Sequence, residues 1–154
     1  MKVFVLNGPN LNLLGDREPE IYGTQTLDDV EEMCRAKASE LGMDIDFRHT
    51  NFEGELVEWL QDARTSAAGV VLNPAALGHY SLALVDAITA AQVPVVEVHI
   101  SNIYAREDWR SKSVISPVAY GVISGLGTQG YVLALEALNV VLSDEGGDEG
   151  GDDE

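Results

Sequence analysis

The side chains best suited to proton chemistry stand directly after apolar runs. In VVEVHISNIYAREDWR, Glu97 and His99 lie two apart in a β-branched run, a spacing that puts both on one face of a strand. A carboxylate there holds an imidazole protonated and oriented, which is the state a general acid needs. A structural histidine is the plain alternative for a lone His after a strand, and the neighbouring Glu moves the balance toward chemistry. The backbone N–H groups of Ile100 and Ser101, just past the run, can receive a carboxylate. Arg106 and Arg110 are four apart, so one helical face can carry both, with Arg110 turned to a site and Arg106 paired with an acid.

A second group follows the first apolar run, in NGPNLNLLGDREPEIYGTQT. Loops of this length are uncommon unless functional or disordered. Leu11, Leu13, Leu14, Ile21 and Tyr22 give this one apolar anchors, so it reads as a lid over a site, with a packed surface loop as the alternative. Arg17 and Tyr22 lie on it. A phenol ionises near pH ~10, and moving that by two units takes ~2.7 kcal/mol. One guanidinium ~4 Å away supplies about that in a partly screened site, so an Arg beside a Tyr makes a phenolate base. Spacing alone does not bring the two together, and a solvent-facing Arg17 with a core Tyr22 reads equally well.

The third group is VVLNPAALGHYSLALVDA. Asn73, before a proline at a strand end, suits a fixed amide. His79 precedes a helix start, where it either donates to a substrate hydroxyl or sits in a buried turn. Asp86 lies on an otherwise apolar helix, where a charge needs a partner, supplied by an oligomer interface or a neighbouring site.

These groups must be positioned by an alternation of apolar runs and amphipathic segments. Strands are expected at Lys2–Leu6, Met43–Arg48, Gly69–Leu72, Val93–Val98 and near Val118–Ser124. Helices are expected after a Thr26 cap and ending at Gly42, after an Asn51 cap, around Ser81–Ala91, and from the turn Gly125-Leu126-Gly127 to near Leu142. Five strands separated by helices argue for α/β: a flavodoxin-like three-layer sandwich whose five-stranded parallel sheet has the order 2-1-3-4-5. Asn7, Asn10 and Asn12, Asn73, Glu97 and His99 then all fall at the carboxyl edge, where open α/β sheets bind ligands. Residues 1–142 form a single catalytic domain, and 143–154 a disordered acidic tail. The helices in LALVDAITAA and YVLALEALNVVL are apolar almost all round, which predicts a homo-oligomer covering their outer faces.

Charge narrows the partners. The 154 residues carry a net charge of −17, and the last eleven, DEGGDEGGDDE, are mostly acidic. The body is acidic too, which disfavours nucleic acid and anionic membranes. The surface suits high salt, where screening relieves self-repulsion; a generally acidic cytosolic protein is the alternative. No apolar run approaches the ~20 residues of a membrane span, and the N-terminus is too short in apolar residues for a signal peptide, so a cytoplasmic location is expected. The one cysteine, Cys34, lies on an apolar helical stripe and reads as a small core residue.

Several chemistries drop out. His49, His79 and His99 are 30 and 20 apart with no paired-ligand motif, so no metal is expected. There is no GxGxxG after the first strand and no P-loop, which argues against a nucleotide- or flavin-binding module and against any cofactor. Lys2, Lys37 and Lys112 occupy strand-start, charged-helix and polar-loop positions, none suited to a Schiff base.

Together NGPNLNLLGDREPEIYG, NFEGEL, LNPAALGHYSLALVDA, VEVHISNIYAREDWRSKS and GVISGLG resemble the type II 3-dehydroquinate dehydratases of the shikimate or quinate pathway. The resemblance covers the body and stops at about Ser143. It implies a flavodoxin-like fold, a dodecamer built from trimers, and anti elimination of water from 3-dehydroquinate to 3-dehydroshikimate through an enolate, with no cofactor. Tyr22 matches the base at C2 and Arg17 the residue that activates it. Asn12 matches the holder of a water near the enolate oxygen, and His99, oriented by Glu97, the acid for the C1 hydroxyl. Asn73, Ile100 and Ser101 match the carboxylate contacts, His79 and Arg110 the ring-hydroxyl ligands, and Asp86 an acid that reaches a neighbouring subunit's site. Leu77, Gly78, Trp109, Ser111 and Lys112 depart from the family's usual residues.

Overall fold

A computed structural model describes residues 1–147. Its strands are Lys2–Asn7 (β1), Asp44–His49 (β2), Gly69–Asn73 (β3), Val95–His99 (β4) and Gly121–Ser124 (β5). All pair in parallel, in the order β2-β1-β3-β4-β5, as the alternation of segments predicts. The patterning explains the order. β3 and β4 are buried throughout and β1 is buried after Lys2, whereas β2 (DIDFRH) and β5 are only partly buried. Continuous apolar runs take the centre of a sheet covered on both faces, and mixed ones take its edges.

The helices are Pro19–Tyr22 (α1), Leu27–Leu41 (α2), Glu53–Ser66 (α3), Leu82–Ala91 (α4) and Gln129–Gly147 (α5). On one face of the sheet, Val3, Val5, Val71, Val96 and Val98 pack with Cys34 of α2 and Tyr131, Leu135 and Leu138 of α5. On the other, Phe4, Leu6, Val70, Leu72 and Val95 pack with Leu56 and Leu60 of α3 and Leu84 and Ile88 of α4. Leu60, Leu84 and Leu135 have no exposed surface, and truncating any of them to Ala costs roughly 2–5 kcal/mol.

Local signals held at several element ends. The Thr26 hydroxyl accepts from the Asp29 N–H and the Asp29 carboxylate from the Thr26 N–H, a reciprocal cap for α2. Gly42 closes that helix at φ 70°, a conformation that costs other residues about 1–2 kcal/mol. Ser81 caps α4.

Four expectations are corrected. Asn51 does not cap α3: its Oδ1 accepts from the Asn10 N–H at 2.9 Å, tying the loop after β1 to the loop after β2. β4 starts at Val95 rather than Val93, after Pro94, which has no N–H to give a ladder. β5 starts at Gly121 rather than near Val118, because the N–H groups of Val118 and Ala119 turn back to the Ile115 carbonyl. α5 runs past Leu142 to Gly147, so residues 143–147 continue the helix; the rest of the expected acidic tail lies outside the described residues. Among the described residues, no helix is long and apolar enough to cross a membrane.

Candidate active site

A cavity opens at the carboxyl edge, between the loop after β1, the ends of β3 and β4, and two 3-10 turns at Ile103–Ala105 and Asp108–Arg110. Of the residues singled out from sequence, Asn10, Arg17, Tyr22, Asn73, His79, His99, Ile100, Ser101, Arg106 and Arg110 line it. Glu97 stands behind His99 with no exposed surface. Asn12 is exposed on the 3-10 turn Leu11–Leu13, and Asp86 is exposed on α4. Neither lines the cavity; the asparagine of that loop that does is Asn10.

The two faces of the sheet each send one polar cluster to this edge. On the α3/α4 face, His99 Nε2 is hydrogen-bonded to Glu97 Oε2, as the i, i+2 spacing on β4 predicts. An ionised carboxylate only accepts, so Nε2 carries the hydrogen and Nδ1 is the ring nitrogen left for the cavity. Ser113 and Ser116 each donate a hydroxyl to Glu97 at 2.7 Å. Burial alone would push the Glu97 carboxyl up, but His99 and the hydroxyls of Ser116 and Ser113 outweigh it and hold Glu97 below the usual carboxylate range.

His79 stacks near His99, with ring centroids 6.2 Å apart. Its Nδ1 lies 2.7 Å from the Lys112 carbonyl, and a carbonyl only accepts, so Nδ1 holds the proton. Burial pushes His79 below the ordinary imidazole value; the Lys112 carbonyl opposes this, and charge at His99 and Arg110 adds to it. The neutral ring therefore presents Nε2 as an acceptor. His79 would take a hydrogen bond from a substrate hydroxyl rather than donate one, the reverse of the role read from sequence.

On the α2/α5 face the buried Tyr131 hydroxyl accepts from Asn73 Nδ2 at 2.9 Å and donates to Asn7 Oδ1 at 2.7 Å. Asn7 Nδ2 in turn donates to the Arg48 carbonyl. Asn73 Oδ1 accepts from the Ala75 N–H at 3.1 Å, which holds Ala75 at φ 53°, a left-handed conformation uncommon for alanine. The Asn73 amide is thereby held in one orientation at the cavity wall. Gly8 permits this arrangement: its N–H donates to the Asn73 carbonyl at 2.9 Å, and a Cβ there would stand 2.6 Å from the Pro74 oxygen.

Across the cavity, the Tyr22 hydroxyl accepts from Arg106 Nη1 at 2.5 Å. Arg17 lies over the Tyr22 ring, Cζ to centroid 5.9 Å, and Arg106 lies nearer, at 5.1 Å. The expected Arg–Tyr pairing thus has two cations, and the one on the hydroxyl is Arg106, expected instead on an acid. Its contacts with Glu18 and Glu107 are long, at 4.0 and 3.8 Å. Arg110 lies 3.0 Å from Glu107 without a directed hydrogen bond, its guanidinium 4.0 Å over the Trp109 ring. Reasoning from sequence therefore gave Arg106 the wrong partner and missed Tyr131, Ser113 and Ser116. For Tyr131 there was a signal: a tyrosine in an apolar helix needs a polar partner for its hydroxyl, and the strand-end asparagines were the candidates.

The class II dehydroquinase family model matches residues 1–139. The chain belongs to that family. The 3-dehydroquinate dehydratase of Sinorhizobium medicae is 60% identical over 136 residues, covering 88% of this chain and 92% of that protein. The 3-dehydroquinate dehydratase of Brucella canis is 57% identical over 143 residues, covering 93% and 91%. The crystal structure of the type II dehydroquinase from Propionibacterium acnes superposes with a TM-score of 0.88 at 47% identity, covering 90% of this chain and 96% of that one. The family match spans all five strands and the residues of both polar clusters.

Proposed function

We propose that this cavity dehydrates 3-dehydroquinate to 3-dehydroshikimate by anti elimination through an enolate, in the shikimate pathway or in quinate breakdown. The observation that carries the reading is that a tyrosine hydroxyl under a guanidinium and an imidazole on a buried carboxylate line one cavity from separate elements. Tyr22, as phenolate, takes the C2 proton. Positive charge at Arg106 and Arg17 stabilises that phenolate by Coulomb attraction. The C2 electrons move into the enolate, whose oxygen is the former C3 carbonyl. By the family pattern Asn12, exposed here beside the cavity-lining Leu11, would turn inward to hold a water near that oxygen. The enolate then returns its electrons, C1 loses its hydroxyl, and His99 supplies the proton that turns it into water. Tyr22 ends protonated and His99 neutral, and proton exchange with solvent restores both.

Binding follows from the remaining groups. The Ile100 and Ser101 N–H groups and the Asn73 amide take the substrate carboxylate, while His79 accepts from a ring hydroxyl and Arg110 donates to one. The protein acts as a cytoplasmic dodecamer of trimers. Leu82 on α4 and Val140 on α5 are exposed apolar side chains in a single chain, and Asp86 on the same α4 would enter a neighbour's site. A rise in enone absorbance on adding 3-dehydroquinate to the purified protein is the expected result; no rise at either low or high salt would overturn the reading. Light scattering of the same sample should give the mass of twelve chains.

A further inference from the structure

One short segment holds both cavity histidines. The Lys112 carbonyl takes the His79 Nδ1–H, and the Ser113 and Ser116 hydroxyls take both oxygens of Glu97, Ser113 on Oε2 and Ser116 on Oε1. The segment is itself fixed. Val114 donates its N–H to the Gly78 carbonyl at 2.8 Å, and Ile115 is fully buried in the α3/α4 core.

The bonds around Ser113 settle which way its hydroxyl points. Ser113 Oγ accepts from the N–H groups of Ile115 (3.1 Å) and Ser116 (3.2 Å). A hydroxyl has two acceptor sites and one hydrogen, so with both sites filled its hydrogen goes to Glu97. Ser113 therefore cannot accept from a protonated Glu97. Oε2 receives Ser113 and His99, and Oε1 receives Ser116. Three donors thus converge on the two oxygens, and at Oε2 the Ser113 hydroxyl favours the ionised carboxylate because it cannot accept in return.

We propose that Ser113 and Ser116 are positioning residues that lock Glu97 as an ionised acceptor, so that His99 meets the substrate as a cationic acid in one ring orientation. The proposal rests on the assignment of His99 as the acid. Few other charges compete for Glu97. His99 is on its own strand, His79 stacks near the His99 ring, and Arg110 lines the same cavity. On the neighbouring strands Glu97 pairs in register with Leu72 and Val122, both apolar.

Ser116→Ala is the clean test, because Ser113 also caps its own turn. Ser116→Ala should lower kcat about tenfold, the loss expected for one hydrogen bond to a buried charge, with KM within about twofold. It should also shift the acid limb of the kcat profile upward in pH, since a carboxylate stripped of a donor is protonated at higher pH. Ser116→Thr, which keeps the hydroxyl, should recover most of both. In 13C-glutamate-labelled protein without substrate, the Glu97 carboxyl should titrate at higher pH in Ser116→Ala, and higher again with Ser113→Ala added. Wild-type kcat, pH profile and Glu97 titration in a folded Ser116→Ala would overturn the proposal. So would an equal loss in Ser116→Ala and Ser116→Thr with the Glu97 titration unmoved. A wild type that does not dehydrate 3-dehydroquinate would defeat the functional reading instead, and the carbon titration would still decide the serine cradle.

Discussion

The two sides of the cavity hold the proposed proton-transfer groups by different physics. The acid side is buried: Glu97 has no exposed surface and His99 is 5% exposed, on a central strand with every carboxylate oxygen hydrogen-bonded. The base side is peripheral. Tyr22 closes a four-residue helix on a loop, and its neighbours Arg17 and Glu18 are about two-fifths exposed. Direction comes from a packed hydrogen-bond network on one side, and from guanidinium charge over a loop tyrosine on the other. The proposed acid thus stands on the packed sheet and the proposed base on the peripheral loop.

The contrast can be broken most severely at the two end groups. His99→Ala and Tyr22→Phe should each lower kcat by roughly 10²–10⁴ with the circular dichroism spectrum unchanged; near-full activity in either removes that residue from the chemistry. Next come the cations. Arg106→Ala should cost more activity than Arg17→Ala, because only Arg106 reaches the hydroxyl. Steady-state kinetics of the two variants side by side would reverse the assignment if Arg17→Ala were the worse.

Smaller effects probe the buried side. Tyr131→Phe leaves Asn7 and Asn73 each short of a partner, so denaturant unfolding should show a loss of about 1–3 kcal/mol, with KM rising more than kcat falls. Acid should destabilise the fold through His79. Its folded value is held below the ordinary 6.5, so below that pH the unfolded chain binds the extra proton, and stability present at neutral pH is lost as pH falls through the folded value. A melting series from pH 7.5 to 5 should therefore slope less in His79→Asn. The smallest change concerns the whole surface: with a net charge of −17, melting temperature should rise with KCl as screening relieves repulsion. A flat or falling curve would remove the high-salt adaptation.

What could be read without coordinates follows the same division. Glu97 and His99 were legible because two positions on one strand share a face by geometry alone, and the strand order because a short chain alternating five strands with helices suits the flavodoxin-like arrangement. The Thr26 cap and the Gly42 stop were legible for the same local reason. Arg106 on Tyr22, Tyr131 on Asn73 and Ser116 on Glu97 join residues 84, 58 and 19 positions apart. No periodicity encodes such contacts; they exist only once the sheet is assembled. His79 shows a further limit. Its place beside the cavity followed from the motif, but its hydrogen-bond sense depended on a carbonyl 33 residues away.

Cys34 has a practical consequence. It is the chain's single thiol, without exposed surface between α2 and the sheet, and burial pushes its ionisation up to about 12. The folded protein should ignore alkylating and disulfide reagents, needing no reductant in storage. Once the helix lifts away, one thiol per chain becomes reactive. The rate at which a chromogenic thiol reagent is consumed is then a clock for opening of this layer, one that needs neither label nor engineered residue and counts a single event per molecule.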